Sequence, residues 1–279
     1  MARGGLMHMT GPRDGPPVLP GATLADMAGA MQLALATMTA LLARERHGIA
    51  QKVNVSSYGA QIWLQAWEIQ QAAISGNELM RDGSHHANIP GMYGVYQTSD
   101  DKAIFLAFAR TEESWQSFCD FAGFPEIGSD ERWNTLNKRM GMDQDAEGKI
   151  AGEIRPYMEQ AFASKTSAEW IAFLDSEPEI IYNRVASHQD VLDDPQARAN
   201  GYIEEIELDP IGMTKLIGPL IRLSETPASI KGPPPQLGQH TEEVLLELGY
   251  DWEAIERINA HTREALRQKF TALGLEPPF

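Results

Sequence analysis

The chain has 279 residues, of which 43% are hydrophobic and 22% charged, and its formal net charge is -16. This length allows one large domain or two medium ones with a sizeable core. The acidic balance excludes an extended nucleic-acid surface, because phosphate binding needs clustered lysine and arginine.

The opening residues 1–22 are rich in glycine and proline and predict a loop that runs over a surface. They lack the continuous apolar stretch of a signal peptide, so we interpret them as native chain. The sequence shows no uninterrupted apolar run of about 18 residues, and we expect no membrane span. The single cysteine cannot form an internal disulfide or a cysteine-based zinc site. A soluble protein of the reducing cytoplasm is expected.

Residues 24–47 give the clearest helical pattern, and Arg44, Arg46 and His47 suit its carbonyl end before a left-handed Gly48. The alternation over 51–57, with Val53 and Val55 on one face, predicts a strand. Residues 60–75 predict a second helix. Its apolar stripe contains Ile62, Trp63, Ala66, Trp67 and Ile69.

A polar segment, 76–90, precedes two predicted paired strands at 91–98 and 103–109, joined by a turn at 99–101. The predicted helices that follow are at 111–122, 146–163 and 167–176, the last with Thr166 and Glu169 as a capping box, and a further helix begins at Asp194–Pro195. The predicted strands are at 203–208 and 215–221. A proline-rich connector, 231–238, leads to helices at 241–247 and 252–273.

This alternation favours an α/β fold with a smaller α+β domain inserted in a larger one. We place the central segment of the large domain at 1–85, the small domain at 86–211 and the return to the large domain at 212–279.

Asp26 is the carboxylate with the most chemical interest. Thr23 and Asp26 have the spacing of a capping box, which is a structural role. The positive end of the helix also favours an ionised carboxylate, the form that attacks as a nucleophile. Gly29, one turn later, would leave room for a bulky substrate. The two roles are compatible.

Other groups that carry chemistry have plainer interpretations. His85 and His86 are adjacent, so their side chains project in different directions, and a polar loop is favoured over a shared metal. Cys119 lies in a helical pattern with Trp115 and Phe118, which favours burial in the core over catalysis. No metal site is predicted.

Three stretches of the sequence are similar to one known family. The segments ARGGLMHMTGPRDGPPVLPG and LADMAGAMQLALATMTALLARERHGIAQKVNVSS resemble the central part of class III CoA-transferases, the CaiB/BaiF type. PGMYGVYQTSDDKAIFLA resembles the start of their small domain. IGPLIRLSETP followed by PPPQLGQHTEEVLLELGY resembles their C-terminal return.

The resemblance implies a CoA-transferase in which the aspartate matching Asp26 is the nucleophile. It would pass CoA from an acyl-CoA to a small carboxylic acid through mixed anhydrides and an aspartyl-CoA thioester. The family also implies coenzyme A as co-substrate, a partly Rossmann-like large domain and an intertwined homodimer.

Two features depart from the family pattern. The nucleotide-binding half that opens family members is missing, which would leave apolar surface exposed. We therefore expect a partner chain that carries this half, a tight oligomer or a shortened reading frame. The terminal helix from Ile258 is longer and more charged than the family's.

Two other functions stay open. An acyl-CoA racemase or lyase would use Asp26 as a base, although His8 is not in the setting that racemases require. A non-catalytic subunit would lack a complete CoA site.

The remaining candidate residues have both a binding and a packing interpretation. Arg3 and Arg13 could donate to CoA phosphates or lie in solvent. Tyr93 and Tyr96 could line the cleft or pack between sheet and helix. Gln239 and His240 could contact CoA or a dimer partner, or they could belong to a helix cap with Thr241 as N-cap. Trp63 and Trp67 could shape an acyl pocket or form part of a core stripe.

Overall fold

A computed structural model describes residues 1–141, 149–208 and 211–276. The chain divides into two compact units, Met1–Val185 and Ala186–Phe279, and each is described by itself. The predicted three-part division at 85/86 and 211/212 stays a prediction.

The first unit contains nine helices and four strands among its described residues. The helices are α1 Leu24–His47, α2 Ser57–Leu64, α3 Ala66–Ser75, α4 Glu112–Ala122, α5 Pro125–Gly128, α6 Leu136–Met140, α7 Lys149–Gly152, α8 Arg155–Ala163 and α9 Ser167–Asp175. The strands are β1 His85–His86, β2 Ile89–Gln97, β3 Ala103–Ala109 and β4 Ile180–Arg184.

The four strands form one sheet in the order β1-β2-β3-β4, and each neighbouring pair is antiparallel. Gly94 lies opposite Leu106 in the central pair, and Ile104 lies opposite Arg184 in the pair that β4 completes. The predicted strands and their turn are confirmed, whereas β4 was not predicted. The fold is mixed α/β, and the expected Rossmann-like character stays a prediction.

The core of this unit is aromatic and lies between the sheet and α4, α8 and α9. Trp115, Trp133 and Trp170 are each fully buried. The Trp170 ring stacks on Phe162 at 4.3 Å and on Phe118 at 5.3 Å between ring centroids. Aromatic pairs at these distances add to the free energy of apolar burial.

Capping side chains explain where the core helices begin. Thr166 and Glu169 form the predicted capping box of α9, and Thr111 with Ser114 forms another at α4. Gly91 of β2 allows α6 to approach closely, because a Cβ there would lie 1.6 Å from the Arg139 carbonyl oxygen. The two helix starts are thus set by residues three positions apart, whereas the close approach at Gly91 joins two distant segments.

Three predicted elements of the first unit differ from the structure. Residues 51–55 run without helix or strand structure, and no described strand pairs with them. The helix predicted at 60–75 is two helices that meet at Gln65. The buried Gln65 amide donates to the carbonyl oxygens of Gly4 and Gln61, at 2.8 and 2.9 Å, so the helix ends where the opening loop packs. The predicted 146–163 helix is seen as α7 and α8, and its residues 146–148 lie outside the described part.

The helix α1 matches its predicted range and ends as expected, with Gly48 left-handed and its N–H bonded to the Arg44 oxygen. None of its residues is buried, and Met31 is 75% exposed. The expected exposure of apolar surface is confirmed. By length and composition α1 could cross a membrane, a property that core helices and signal sequences share. The expected lack of a membrane span stays a prediction.

The second unit contains a hairpin and four helices among its described residues. These are α10 His188–Asp193, α11 Pro195–Ala199, β5 Ile203–Leu208, β6 Gly212–Ile217, α12 Thr241–Glu247 and α13 Trp252–Ala272. The hairpin strands pair antiparallel, with β6 shifted from the predicted 215–221. Asp251 caps α13 by accepting from the Ala254 N–H at 2.8 Å, and Ile255 is buried.

Candidate active site at the start of the first helix

Asp26 lies in the first turn of α1 and is exposed to solvent. The backbone N–H groups of Asp26 and Met27 both donate to the Thr23 carbonyl oxygen at 3.1 Å. The Thr23 side chain makes no capping bond, so the predicted capping box is wrong. Thr23 has φ -79° and ψ 58°, not the extended backbone typical of an N-cap residue.

The Asp26 carboxylate consequently has no structural partner among the described residues. It lies at the positive end of the α1 helix dipole, which favours negative charge. A carboxylate that is accessible and stabilised in this way can act as a nucleophile or as a base.

Gly29 faces the first turn of α2. A Cβ at Gly29 would lie 3.6 Å from Ser57 Oγ, which is ordinary van der Waals contact. Arg3 reaches the same turn, with its guanidinium carbon 4.7 Å from the Tyr58 ring centre. Gly29 and Arg3 thus each lie close to a residue at the start of α2, Ser57 and Tyr58 respectively, and their roles in binding stay predictions.

An apolar cleft of about 820 Å³ lies between α1, residues 51–55 and the end of α2. Leu24, Met27 and Met31 line it from α1, and Trp63 lines it from α2. Successive helical residues turn by about 100°, so Asp26 lies on roughly the opposite side of α1 from this face. The cleft is therefore distinct from the surface that carries the carboxylate.

The tryptophans of α2 and α3 are not buried in a hydrophobic core of the described residues, which was one of their two interpretations. Trp63 is 69% exposed and borders the cleft, and Trp67 is 54% exposed. Trp67 stacks on His86 with 5.4 Å between ring centroids. Apolar spacing in the sequence predicts which helix face is hydrophobic, but not whether another part of the protein packs on that face.

The other candidates of the first unit lie apart from Asp26 in the chain. Tyr93 packs edge-on against Phe105 at 4.9 Å, and Tyr96 is buried with its hydroxyl donating to the Met92 oxygen at 2.6 Å. Arg13 forms an ion pair with Asp82. Asp82 was not predicted, because it lies in a polar segment with no periodicity.

Gln239 and His240 belong to the second unit. Gln239 Oε1 accepts from the Gln236 N–H at 2.9 Å. His240, not Thr241, occupies the N-cap position of α12, and it makes no side-chain capping bond. The predicted Thr241 cap is therefore wrong, while the proposed CoA or interface contacts stay predictions.

The histidine pair shows polar and packing contacts. His86 Nε2 lies 3.5 Å from Glu68 Oε1, and its Nδ1 accepts from the Asn88 N–H at 3.2 Å. Burial and the nearby Arg155 charge lower the pKa of His85 to about 4. Within 1–141, 149–208 and 211–276, no three or more His, Cys, Asp or Glu side chains group as a metal site would require.

The model of CoA-transferase family III matches residues 1–241. The chain belongs to this family. The family III resemblance stated from the sequence is thus confirmed. The opening loop, Asp26 and the whole of α1 lie inside the matched region. Most of α12 and all of α13 lie beyond it.

Curated relatives of this family III chain include transferases of different substrates. An acyl-CoA transferase of Fusarium pseudograminearum is 31% identical over 257 residues, which cover 91% of this chain and 54% of the relative. The mouse succinyl-CoA:glutarate CoA-transferase is 30% identical, and the match covers 92% of this chain and 56% of the relative. The (R)-2-hydroxy-4-methylpentanoate CoA-transferase of Clostridioides difficile is 30% identical, covering 91% and 61%.

Solved structures of similar proteins share the fold of this family III chain. A CaiB/BaiF family protein from Brucella suis has a TM-score of 0.68 at 23% identity, covering 88% of this chain and 61% of its own. A Mycobacterium tuberculosis protein has a TM-score of 0.65 at 25% identity, covering 86% and 61%. The chain thus spans between half and two thirds of the proteins it matches.

Proposed function

We propose that this chain is the nucleophile-bearing part of a CoA-transferase that moves CoA from an acyl-CoA to a carboxylic acid. The observation that carries the proposal is Asp26, an unpaired, exposed carboxylate in the first turn of α1 within the region matched to family III. The relatives transfer CoA between different acids, so the acid itself is left general.

In the proposed first step, an Asp26 carboxylate oxygen attacks the thioester carbonyl. The C–S bond breaks, and the CoA thiolate leaves a mixed anhydride. The thiolate then attacks the aspartyl carbonyl, which releases the donor acid and forms an aspartyl-CoA thioester. The acceptor carboxylate displaces the thiolate to give a second anhydride. Attack of the thiolate on the acyl carbonyl then forms the new acyl-CoA and frees Asp26.

The start of α1 supports this chemistry electrostatically. The aspartate is the nucleophile in the first step and the leaving group in the last, so it must be accommodated as an anion at both ends of the cycle. The positive end of the α1 helix dipole, where Asp26 lies, supplies that stabilisation.

The proposed enzyme is completed by further polypeptide. Family III relatives extend well beyond the matched region. On this chain the α1 surface is unburied and residues 51–55 lack a strand partner. We propose that the remaining part of the family fold, carried by the same polypeptide or by a partner chain, covers these surfaces and gives the large domain its Rossmann-like character, and that the complete enzyme is an intertwined dimer. A cytoplasmic location is part of the same proposal.

Trapping the intermediate tests the nucleophile. The protein is incubated with a panel of acyl-CoAs and hydroxylamine, and its peptides are analysed by mass spectrometry. A hydroxamate on the Asp26 peptide, absent in Asp26→Asn, is the expected result. Modification that persists in Asp26→Asn would contradict the assignment.

The open alternatives give different results in the same samples. Exchange of the substrate α-proton with deuterated solvent, without CoA transfer, would favour the racemase or lyase. Failure to bind CoA until a second polypeptide is added would favour a partner-dependent subunit.

A further inference from the structure

The opening loop is held by three consecutive residues, 81–83. Arg81 donates to the Gly15 carbonyl oxygen from Nε at 2.9 Å and from Nη2 at 2.6 Å. The Gly83 N–H donates to the Gly11 carbonyl oxygen at 3.0 Å. These bonds fix both ends of the loop segment 11–15, so the residues between them have a defined position.

Asp82 lies between those two anchors and bridges a pair of arginines. Its Oδ1 accepts from Arg13 Nε at 2.9 Å and Nη2 at 2.8 Å. Its Oδ2 lies 2.7 Å from Nη2 of Arg155, the first residue of α8. The Asp82 side chain is only 6% exposed and that of Arg155 is 14% exposed. The carboxylate thus connects the loop to the packed sheet-and-helix core.

Arg13 is different, because its side chain is 68% exposed. A guanidinium has five N–H donors in a rigid plane. Asp82 engages the Nε–Nη2 edge, which leaves Nη1 without a hydrogen-bond partner among the described residues. The buried carboxylate therefore orients a cation whose remaining donors are available.

These donors border a pocket of about 390 Å³ that Arg13, Arg81, Asp82 and Glu78 share. Arg155 offsets the Asp82 charge, so two guanidiniums remain against Glu78, which is itself 76% exposed. When Arg155, which contacts Asp82 but does not line the pocket, is counted, the charged groups here have a small positive surplus in a chain whose formal charge is -16. Anionic substrates are repelled by most of such a surface and need a local cationic site.

We propose that this pocket binds an anionic group of the substrates, with Arg13 as the binding residue and Asp82 as the residue that positions it. The anion is a phosphate of CoA or a second carboxylate on the acid, since a guanidinium binds both in the same planar way. The proposal rests on the CoA-transferase function and deepens it.

Binding measurements without turnover test the site. Wild type, Arg13→Gln and Asp82→Asn are titrated at low salt with CoA, 3′-dephospho-CoA, pantetheine and glutarate. Arg46→Gln is the matched control, because it removes the same charge from an exposed position of α1. We expect Arg13→Gln to weaken binding of the anionic probe by about tenfold, the value of a charge-assisted hydrogen bond. Pantetheine, which carries no phosphate, should bind both proteins equally.

The probes separate the two sources of the anion. A loss with CoA but not with 3′-dephospho-CoA assigns the 3′-phosphate, and a loss with both assigns the diphosphate. A loss confined to glutarate assigns the second carboxylate. The Arg13→Gln/Asp82→Asn double variant should bind no more weakly than Arg13→Gln, because Asp82 acts through Arg13.

Equal affinities of wild type and Arg13→Gln for every probe that the wild-type protein binds, alone or with the completing polypeptide, would overturn the site. If Asp82→Asn does not fold, the exposed Arg13→Gln variant still decides the question. Failure to trap Asp26 while anion binding remains dependent on Arg13 would count against the nucleophile only.

Discussion

Asp82 and Arg13 form one ion pair, yet removing each partner should have a different effect on stability. Asp82→Asn leaves Arg155, 14% exposed, without its counter-charge. Breaking such a buried pair costs about 3 kcal/mol of the free energy of unfolding. Arg13→Gln removes a side chain that is 68% exposed. A solvent-screened partner of this kind contributes at most about 1 kcal/mol.

The pH dependence of this difference has a definite sign. Burial raises the pKa of Asp82, but hydrogen bonds and charges from Arg155 and Arg13 outweigh it and hold the pKa below the usual 3.8. A lowered pKa stabilises the folded state above the unfolded-state pKa, and this stability is lost as pH falls through the folded-state value. The difference in the free energy of unfolding between wild type and Asp82→Asn should thus be largest at neutral pH and become smaller below about pH 4.

Urea unfolding followed by tryptophan fluorescence measures both effects, because Trp115, Trp133 and Trp170 are buried in the unit that contains the ion pairs. Arg46→Gln again serves as the charge control. Equal losses from Asp82→Asn and Arg13→Gln, or a gap that does not change with acid, would refute this reasoning.

Three further predictions concern the core and its helices. Trp170→Ala should lower the free energy of unfolding by about 3 to 5 kcal/mol, because it empties a fully buried aromatic site. Trp63→Ala should change the free energy of unfolding by less than about 0.5 kcal/mol, because the Trp63 side chain is 69% exposed. Both are measured by urea unfolding, and similar losses would contradict the assigned burial. Burial raises the pKa of the Cys119 thiol to about 12. A thiol reagent at neutral pH should therefore label Cys119 only as the first unit unfolds. Rapid labelling of the native protein would show that Cys119 is not buried. Thr166→Ala removes the capping box of α9 and should cost about 1 kcal/mol, and Ser164→Ala, outside the capping box, is the comparison in the same unfolding assay.

Local signals in the sequence were enough to place several elements. The range of α1 followed from apolar spacing and its glycine stop, and the capping box of α9 followed from two residues three positions apart. Strand β4 was missed because Ile180–Arg184 is short and its partner β3 lies far away in the sequence. The 51–57 strand was predicted from alternation, which shows which face is apolar but not whether a neighbouring strand exists.

The candidate site divides in the same way. Asp26 was proposed because it lies within a helix start that resembles a known family. The ion pairs of Asp82 join residues from a loop, a polar segment and a helix that are distant in sequence. No pattern within a single segment of the sequence can specify such a meeting of side chains.

The place of β4 in the sheet also sets an order for folding during synthesis. The strand pairs with β3, yet helices α4 to α9 are made between the two. Contacts this distant along the chain slow folding, because a long loop must close before the pairing contributes any stability. The ribosome must release Arg184 before the sheet can be completed. Until then β3 exposes an unpaired edge, so nascent chains that stall before β4 should be the form most prone to aggregate.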